Sequence, residues 1–242
     1  MSDPGFEVLY ENGPCLVVNK PSGVLTQAPP GIDSLEVRIK TFLAEREPRP
    51  YPVYLGVPHR LDRPVSGAMV FGLNRRAAFK LSRQFEHRTV KKVYWALVEG
   101  RVEPASGTWT DYLWKVHGQP RAVVVDQSHP DGQLAVLHYR TLGYSAHADA
   151  QVALLELELE TGRTHQIRVQ AASRSHVLIG DAHYGSTLPF GEPCADDRAR
   201  AIALHARLLA FEHPKSKEPV SIVAPLPGAW KGFGELLPPG SQ

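Results

Sequence analysis

In His59-Arg60-Leu61-Asp62-Arg63-Pro64-Val65-Ser66-Gly67, one carboxylate stands among cationic and near-cationic side chains. Pro64 restricts Arg63 to extended backbone, and Ser66-Gly67 permits a tight turn. Asp62 would therefore be displayed by a rigid loop. A nucleophilic carboxylate needs such rigidity, because positioning carries much of the rate. The same pattern also suits a structural aspartate that satisfies turn amides or pairs with Arg60. A second constellation is Gly162-Arg163-Thr164-His165-Gln166-Ile167-Arg168. Its two guanidiniums, hydroxyl, imidazole and amide suit phosphate or base-edge contacts, or an arginine clamp on a carboxylate. They equally suit a polar helix start after a glycine turn. The third is Lys91-Lys92-Val93-Tyr94. A strand tyrosine can stack on an unpaired base while a lysine meets phosphate, or it can simply pack.

Elements must hold these residues. Phe6 to Asn19 reads as two short strands around the Asn12-Gly13-Pro14 turn, with Cys15-Leu16-Val17-Val18 as a buried run. Asp33-Ser34 can cap a helix reaching about Glu47, with Leu35, Ile39, Phe42 and Leu43 on one face. A short apolar strand, Ala68 to Leu73, follows the Asp62 segment. Asn74 can cap a second helix to about His87, with Ala77, Ala78, Leu81 and Phe85 inward and Arg75, Arg76, Lys80 and Arg83 outward. Alternation places Lys92 and Tyr94 on one face of a strand and Trp95 on the other. Further strands are expected at Ala122–Asp126, Ala135–Tyr144, Gln151–Glu160, Arg207–Phe211 and Val220–Val223, and a helix from Thr164 toward Ser173. The pattern implies an α+β fold: a single domain over 1–242 with a core of about 6–230, built on a mixed, mostly antiparallel sheet with flanking helices and a cleft.

The 242 residues are 43% hydrophobic and 21% charged, an ordinary globular mixture. The two cysteines, Cys15 and Cys194, form no CxxC pair, so neither a disulfide framework nor a zinc site is implied and a reducing, cytoplasmic setting is expected. No signal peptide and no bilayer-spanning apolar run is found. The net charge of +2 conceals an asymmetry, because His59 to Lys92 holds nine Lys/Arg against Asp62 and Glu86. Such a local positive field suits a polyanion, or a solvated helix face. The eleven histidines show no metal-ligand spacing, and GxSxG, GxxxxGK[ST] and the dinucleotide fingerprint are absent.

In chain order, Val17-Val18-Asn19-Lys20-Pro21-Ser22-Gly23, His59-Arg60-Leu61-Asp62 with Ser66-Gly67, Lys92 to Gly100, Gly162 to Val169, Gly180-Asp181, Tyr184-Gly185, Leu204-His205-Ala206 and Phe211-Glu212-His213-Pro214 resemble the RluA-type pseudouridine synthase family. The resemblance covers most of the chain. It implies isomerisation of a uridine in structured RNA, a tRNA or rRNA stem-loop, to the C-glycoside. Asp62 matches the catalytic aspartate, Tyr94 the tyrosine that stacks on the base, and Arg168 the arginine that pairs with the aspartate. Arg60 matches a residue that inserts into RNA when the base flips. RNA contacts are expected at His59, Arg60, Lys92, Arg163, Thr164, His165 and Gln166. No metal and no organic cofactor is implied, and a monomer without an N-terminal RNA-binding module is expected. The roles open to Asp62 are addition to C1′, addition to C6, and deprotonation of the sugar. An alternative is a non-catalytic RNA-binding protein on the same scaffold. The chain departs from the family at Val65, where a threonine is usual, at Gln170-Ala171-Ala172, and at Gly132-Gln133-Leu134-Ala135.

Overall fold

Cys15, Leu16, Val17 and Val18 are fully buried, as an apolar run with no alternation requires. They lie in a computed structural model that describes residues 3–48, 50–147 and 150–240. Along the chain run β1 (Glu7–Asn12), β2 (Cys15–Lys20), α1 (Leu35–Arg46), β3 (Ser66–Gly72), α2 (Arg75–Glu86), β4 (Lys91–Glu99), β5 (Ser106–Lys115), β6 (Ala122–Val125), β7 (Gln133–His147), β8 (Ala150–Leu159), α3 (Gln166–Ala172), β9 (Leu204–Glu212) and β10 (Pro219–Val223). Two 3-10 segments cover Ala182–Tyr184 and Gly228–Leu236. The fold is α+β, as the sequence pattern implies.

The chain packs as two compact units. The first holds the described residues up to Lys92, with Cys194–Arg200 and Ala206–Pro227. Here β1, β2 and β3 form antiparallel ladders, with a register shift in β1 between Val8 and Tyr10, and with Lys20 opposite Gly67 and Cys15 opposite Gly72. β9 and β10 are likewise antiparallel. Cys15, Val17, Val70, Leu81 and Phe211 meet in its core. Both expected helix caps form: Ser34 Oγ accepts from Val37 N–H, and Asn74 Oδ1 from Ala77 N–H. Gly67 has φ +123, and a Cβ there would lie 2.4 Å from the Ala206 carbonyl oxygen, so β3 can pass this close only as glycine.

The second unit holds Val93–Pro193, Ala201–His205 and the described residues from Gly228. Its strands run β4-β8-β7-β5-β6, each antiparallel to its neighbour. In β8, Leu155 and Leu157 are buried while Glu156 and Glu158 are half-buried, so the expected alternation is present. From Val93 to Val98 every residue of β4 is buried, so Tyr94 and Trp95 are both covered although they alternate. β5 goes beyond the expected strands. Gly107 and Asp111 depress its β signal, but Trp109 and Leu113 are buried four residues apart and fix its inner face.

Candidate active site

Asp62 lies on the loop that enters β3, half-buried, and main-chain bonds hold the loop around it. Its own carbonyl accepts from Val65 N–H at 3.1 Å and closes the turn. Lys20, at the end of β2, is fully buried and points its Nζ at three carbonyls: Pro21 at 2.9 Å, Arg63 at 3.1 Å and Val65 at 2.7 Å. Three acceptors match the three N–H bonds of an ammonium. Burial pushes the Lys20 pKa down to about 7, and the Asp62 charge opposes that fall. Thr26 Oγ1 donates to the Leu61 carbonyl at 2.9 Å and accepts from Leu61 N–H at 3.3 Å. Gly23 N–H donates to the Arg63 carbonyl at 2.8 Å, and Arg63 Nε returns a bond to the Gly23 carbonyl at 2.9 Å. Lys20, Pro21 and Gly23 of the opening motif thus clamp the segment that displays Asp62.

His59 is used by the fold itself. Its Nε2 accepts from Val70 N–H at 3.0 Å, which leaves Nδ1 protonated and the ring neutral, and the ring stacks on Phe85 with centroids 4.3 Å apart. Burial, with the Lys92 charge second, pushes its pKa down to about 3. Arg60 is exposed. Lys92 is half-buried, and its pKa is lowered by burial and then by Arg88.

The second constellation lies wholly in the other unit. Arg168, on the first turn of α3, is buried, and a bidentate pair joins it to the buried Asp181: Nε to Oδ2 at 2.7 Å and Nη2 to Oδ1 at 2.8 Å. The Tyr184 ring lies 5.0 Å from the guanidinium carbon. Tyr184 Oη is 2.9 Å from His165 Nδ1 and accepts from Ala122 N–H at 3.0 Å. His165 sits in the left-handed region at φ 53, ψ 25, sparsely populated for a residue with a Cβ, at the entry to α3. Gln166 is buried: its Oε1 accepts from Thr161 Oγ1 at 2.7 Å and Arg163 N–H at 3.0 Å, and its Nε2 donates to the Val136 carbonyl at 3.1 Å. It shapes the Gly162–Thr164 turn. Arg163 donates to the Leu134 carbonyl and to Gln133, while Thr164 is exposed. Gln170, at one of the departures from the family, is fully buried and donates to Asp111 at 2.6 Å. Tyr94 stands opposite Leu157 of β8 and is 9% exposed.

Motif types alone did not assign roles to Lys20, Thr26, Asp181 and Tyr184. Lys20, Gly180-Asp181 and Tyr184 lie within the resembling segments, but their partners are distant in sequence. Among the described residues, no group of three or more His, Cys, Asp or Glu could hold a metal ion.

The chain thus holds a main-chain-clamped carboxylate segment and a buried, oriented guanidinium in the order the motifs occur. Residues 14–173 match the family model described as RNA pseudouridylate synthase, and the chain belongs to that family. It is 34% identical to the uncharacterized RNA pseudouridine synthase YhcT of Bacillus subtilis, over 94% of this chain and 71% of that protein. It is also 34% identical to the dual-specificity RNA pseudouridine synthase RluA of Vibrio vulnificus, over 89% of this chain and 81% of that one. The human RNA pseudouridylate synthase domain containing 4 has the same fold: TM-score 0.75, 23% identity, 96% of this chain and 92% of that one. The family resemblance read from the motifs is therefore correct. No helix among the described residues is long and apolar enough to cross a membrane.

Proposed function

We propose that this protein isomerises a specific uridine in a structured tRNA or rRNA element, with Asp62 as the catalytic carboxylate. The observation that carries this reading is the clamp on the Asp62 segment, where a buried lysine engages the Arg63 and Val65 carbonyls just past Asp62. A purely structural aspartate needs no such fixation, whereas a reacting one gains rate from it.

The glycosidic bond is out of reach inside a stack, so the uridine must flip out. Tyr94 then supplies an aromatic platform for the base. Arg168, already oriented by Asp181, is the guanidinium that this reading assigns to the catalytic aspartate. The C1′–N1 bond breaks and the uracil turns. C1′–C5 then forms, N1 gains a proton and the C5 hydrogen leaves as a proton. No electrons are exchanged with a co-reactant. In this reading Arg60 and Lys92 of the first unit, and Arg163, Thr164 and His165 of the second, meet RNA, with Arg60 and Thr164 exposed. His59 and Gln166 hold the backbone of their own segments.

The C5 proton gives the test. Transcripts tritiated at uracil C5 should release tritium with the wild-type protein, and Asp62→Asn should release none above background. Sustained turnover by Asp62→Asn would overturn the assignment.

A further inference from the structure

One cavity on the first unit lies away from Asp62. It is a cleft of about 1040 Å³ between the end of α1, the Tyr51–Tyr54 segment, the first turns of α2 and the β9–β10 turn. Asp62 precedes the first residue of β3, whereas Leu73 and Asn74, just past its last residue, line the cleft. The neighbouring strand agrees: the end of β2 at Lys20 clamps the Asp62 segment, and its start beside Gly13-Pro14 borders the cleft. Seven strand residues separate the two places, roughly 20 Å at about 3.3 Å per residue.

Four ties preform this cleft. Arg46 makes a two-pronged pair with Glu11 and joins α1 to β1. Lys80 Nζ donates to the Pro214 carbonyl at 2.6 Å. Gln84 exchanges two bonds with the Glu212 backbone, both 2.8 Å. Buried His213 accepts from Ser216 N–H at Nδ1, so its Nε2–H donates to the Asn12 carbonyl at 3.1 Å and fixes the turn that carries Lys215.

The lining is cationic and aromatic. Arg75, Arg76 and Lys215 make no ion pair among the described residues, and Lys80 Nζ donates to a single carbonyl, that of Pro214. Glu11 is neutralised by Arg46, and Glu47 is the other carboxylate of the lining, so Arg46, Arg75, Arg76, Lys80 and Lys215 outnumber the acids. Tyr51 is 63% and Tyr54 41% exposed, so both rings stand open to solvent. The N-terminal end of α2 adds its dipole to the same positive field.

We propose that this cleft binds a single-stranded stretch of the substrate RNA several nucleotides from the reacting uridine. Phosphates meet Arg75, Arg76, Lys80 and Lys215, and an unpaired base stacks on Tyr51 or Tyr54. RNA fits better than an acidic peptide, because the exposed rings offer π faces to bases and carboxylates have no use for them. The inference rests on the RNA-modifying reading above for its ligand, but not on the role of Asp62.

The full-length protein is titrated with a fluorescein-labelled 12-nucleotide oligouridylate by anisotropy over a range of salt. Arg75→Gln with Arg76→Gln should weaken binding at least tenfold. It should also lower the log–log salt slope by about 1.4, since each phosphate contact on a single strand contributes about 0.7. Tyr51→Ala with Tyr54→Ala should weaken it about tenfold or more, whereas the double Phe variant should bind as wild type, because stacking survives without the hydroxyl. A 4-thiouridine oligonucleotide should crosslink to the peptide that contains Tyr51 and Tyr54. Unchanged affinity and slope in both variants, or crosslinks confined elsewhere, overturn the proposal. So does equal displacement of the RNA by a 12-residue oligoglutamate, which would make the cleft an acidic-peptide site. The same preparations are assayed for tritium release. Loss of release in the wild type with these binding results intact removes the enzyme reading alone, and the converse removes the cleft alone.

Discussion

Asp62 is held through main-chain carbonyls that converge on a buried ammonium, whereas Arg168 is held by one carboxylate that meets its guanidinium edge-on. The first arrangement spreads its restraint over several bonds from Lys20, Thr26 and Gly23 to backbone groups. It therefore fixes the path of the chain whatever side chains the loop carries. The second depends on two side chains, buried at 6% and 1% exposure, that have to be present together. The two halves of the candidate machinery should fail differently when cut.

The largest effect is expected at Asp181. Removing one partner of a buried pair leaves an uncompensated charge, at a cost of about 3–5 kcal/mol. Asp181→Ala should lose about that much in urea unfolding, and its tritium release should fall with it. The double change Arg168→Met with Asp181→Leu puts apolar groups on both sides and should recover most of the stability but none of the activity. If Asp181→Ala unfolds like the wild type, Asp181 does not hold Arg168 as described.

That contrast also marks what could be read in the chain and what could not. The hairpin at Gly13-Pro14, the caps Ser34 and Asn74 and the inward face of α2 were legible, because each depends on neighbours within a few residues. β5 was not: its inner face is set by pairing with β7, a strand that begins 18 residues beyond its end, and Gly107 and Asp111 argue locally against a strand. Asp62 and Arg168 stood out by residue type and motif order. Their holders did not, since Lys20 reaches carbonyls more than 40 residues away and Asp181 lies 13 residues past Arg168. His59 and Gln166 show the reverse case. Both carry groups suited to RNA, yet the structure spends those groups on the Val70 and Val136 backbone.

Lys20→Met tests the main-chain clamp. Three carbonyls lose their donor, while the burial cost of the ammonium, visible in its lowered pKa, disappears too. A net loss of about 2–3 kcal/mol in urea unfolding is expected. Tritium release should drop about 100-fold, because a shift of the loop by an ångström misplaces Asp62. Lost stability with an unchanged saturating rate would separate the clamp from catalysis.

A smaller effect, confined to acid, is expected at His59. Its folded pKa is about 3, against about 6.5 in the unfolded chain, so between those values the unfolded state binds the extra proton. Its contribution is therefore complete above pH 6.5 and is lost as pH falls toward 3. His59→Gln keeps an acceptor for Val70 N–H but cannot titrate. The stability difference between wild type and variant should move against the wild type by about 1.4 kcal/mol between pH 7.5 and 5.5, as linkage requires for a shift of this size. A difference that stays constant over this range would mean that His59 takes up its proton at the same pH in the folded protein as in the unfolded chain.

The smallest effect is expected where the chain departs from the usual threonine. Val65 contributes to the Asp62 turn through its own N–H, 3.1 Å from the Asp62 carbonyl, and through its carbonyl, 2.7 Å from Lys20 Nζ. Its side chain is 2% exposed and packs without a polar partner. Val65→Thr buries a hydroxyl and should lose about 1 kcal/mol of stability unless that hydroxyl finds a local acceptor. The clamp is untouched, so the tritium-release rate should stay within about threefold of wild type, equivalent to roughly 0.6 kcal/mol in the barrier. A tenfold or larger change in rate, in either direction, would show that this side chain sets the Asp62 carboxylate itself, and that main-chain anchoring alone does not define the loop.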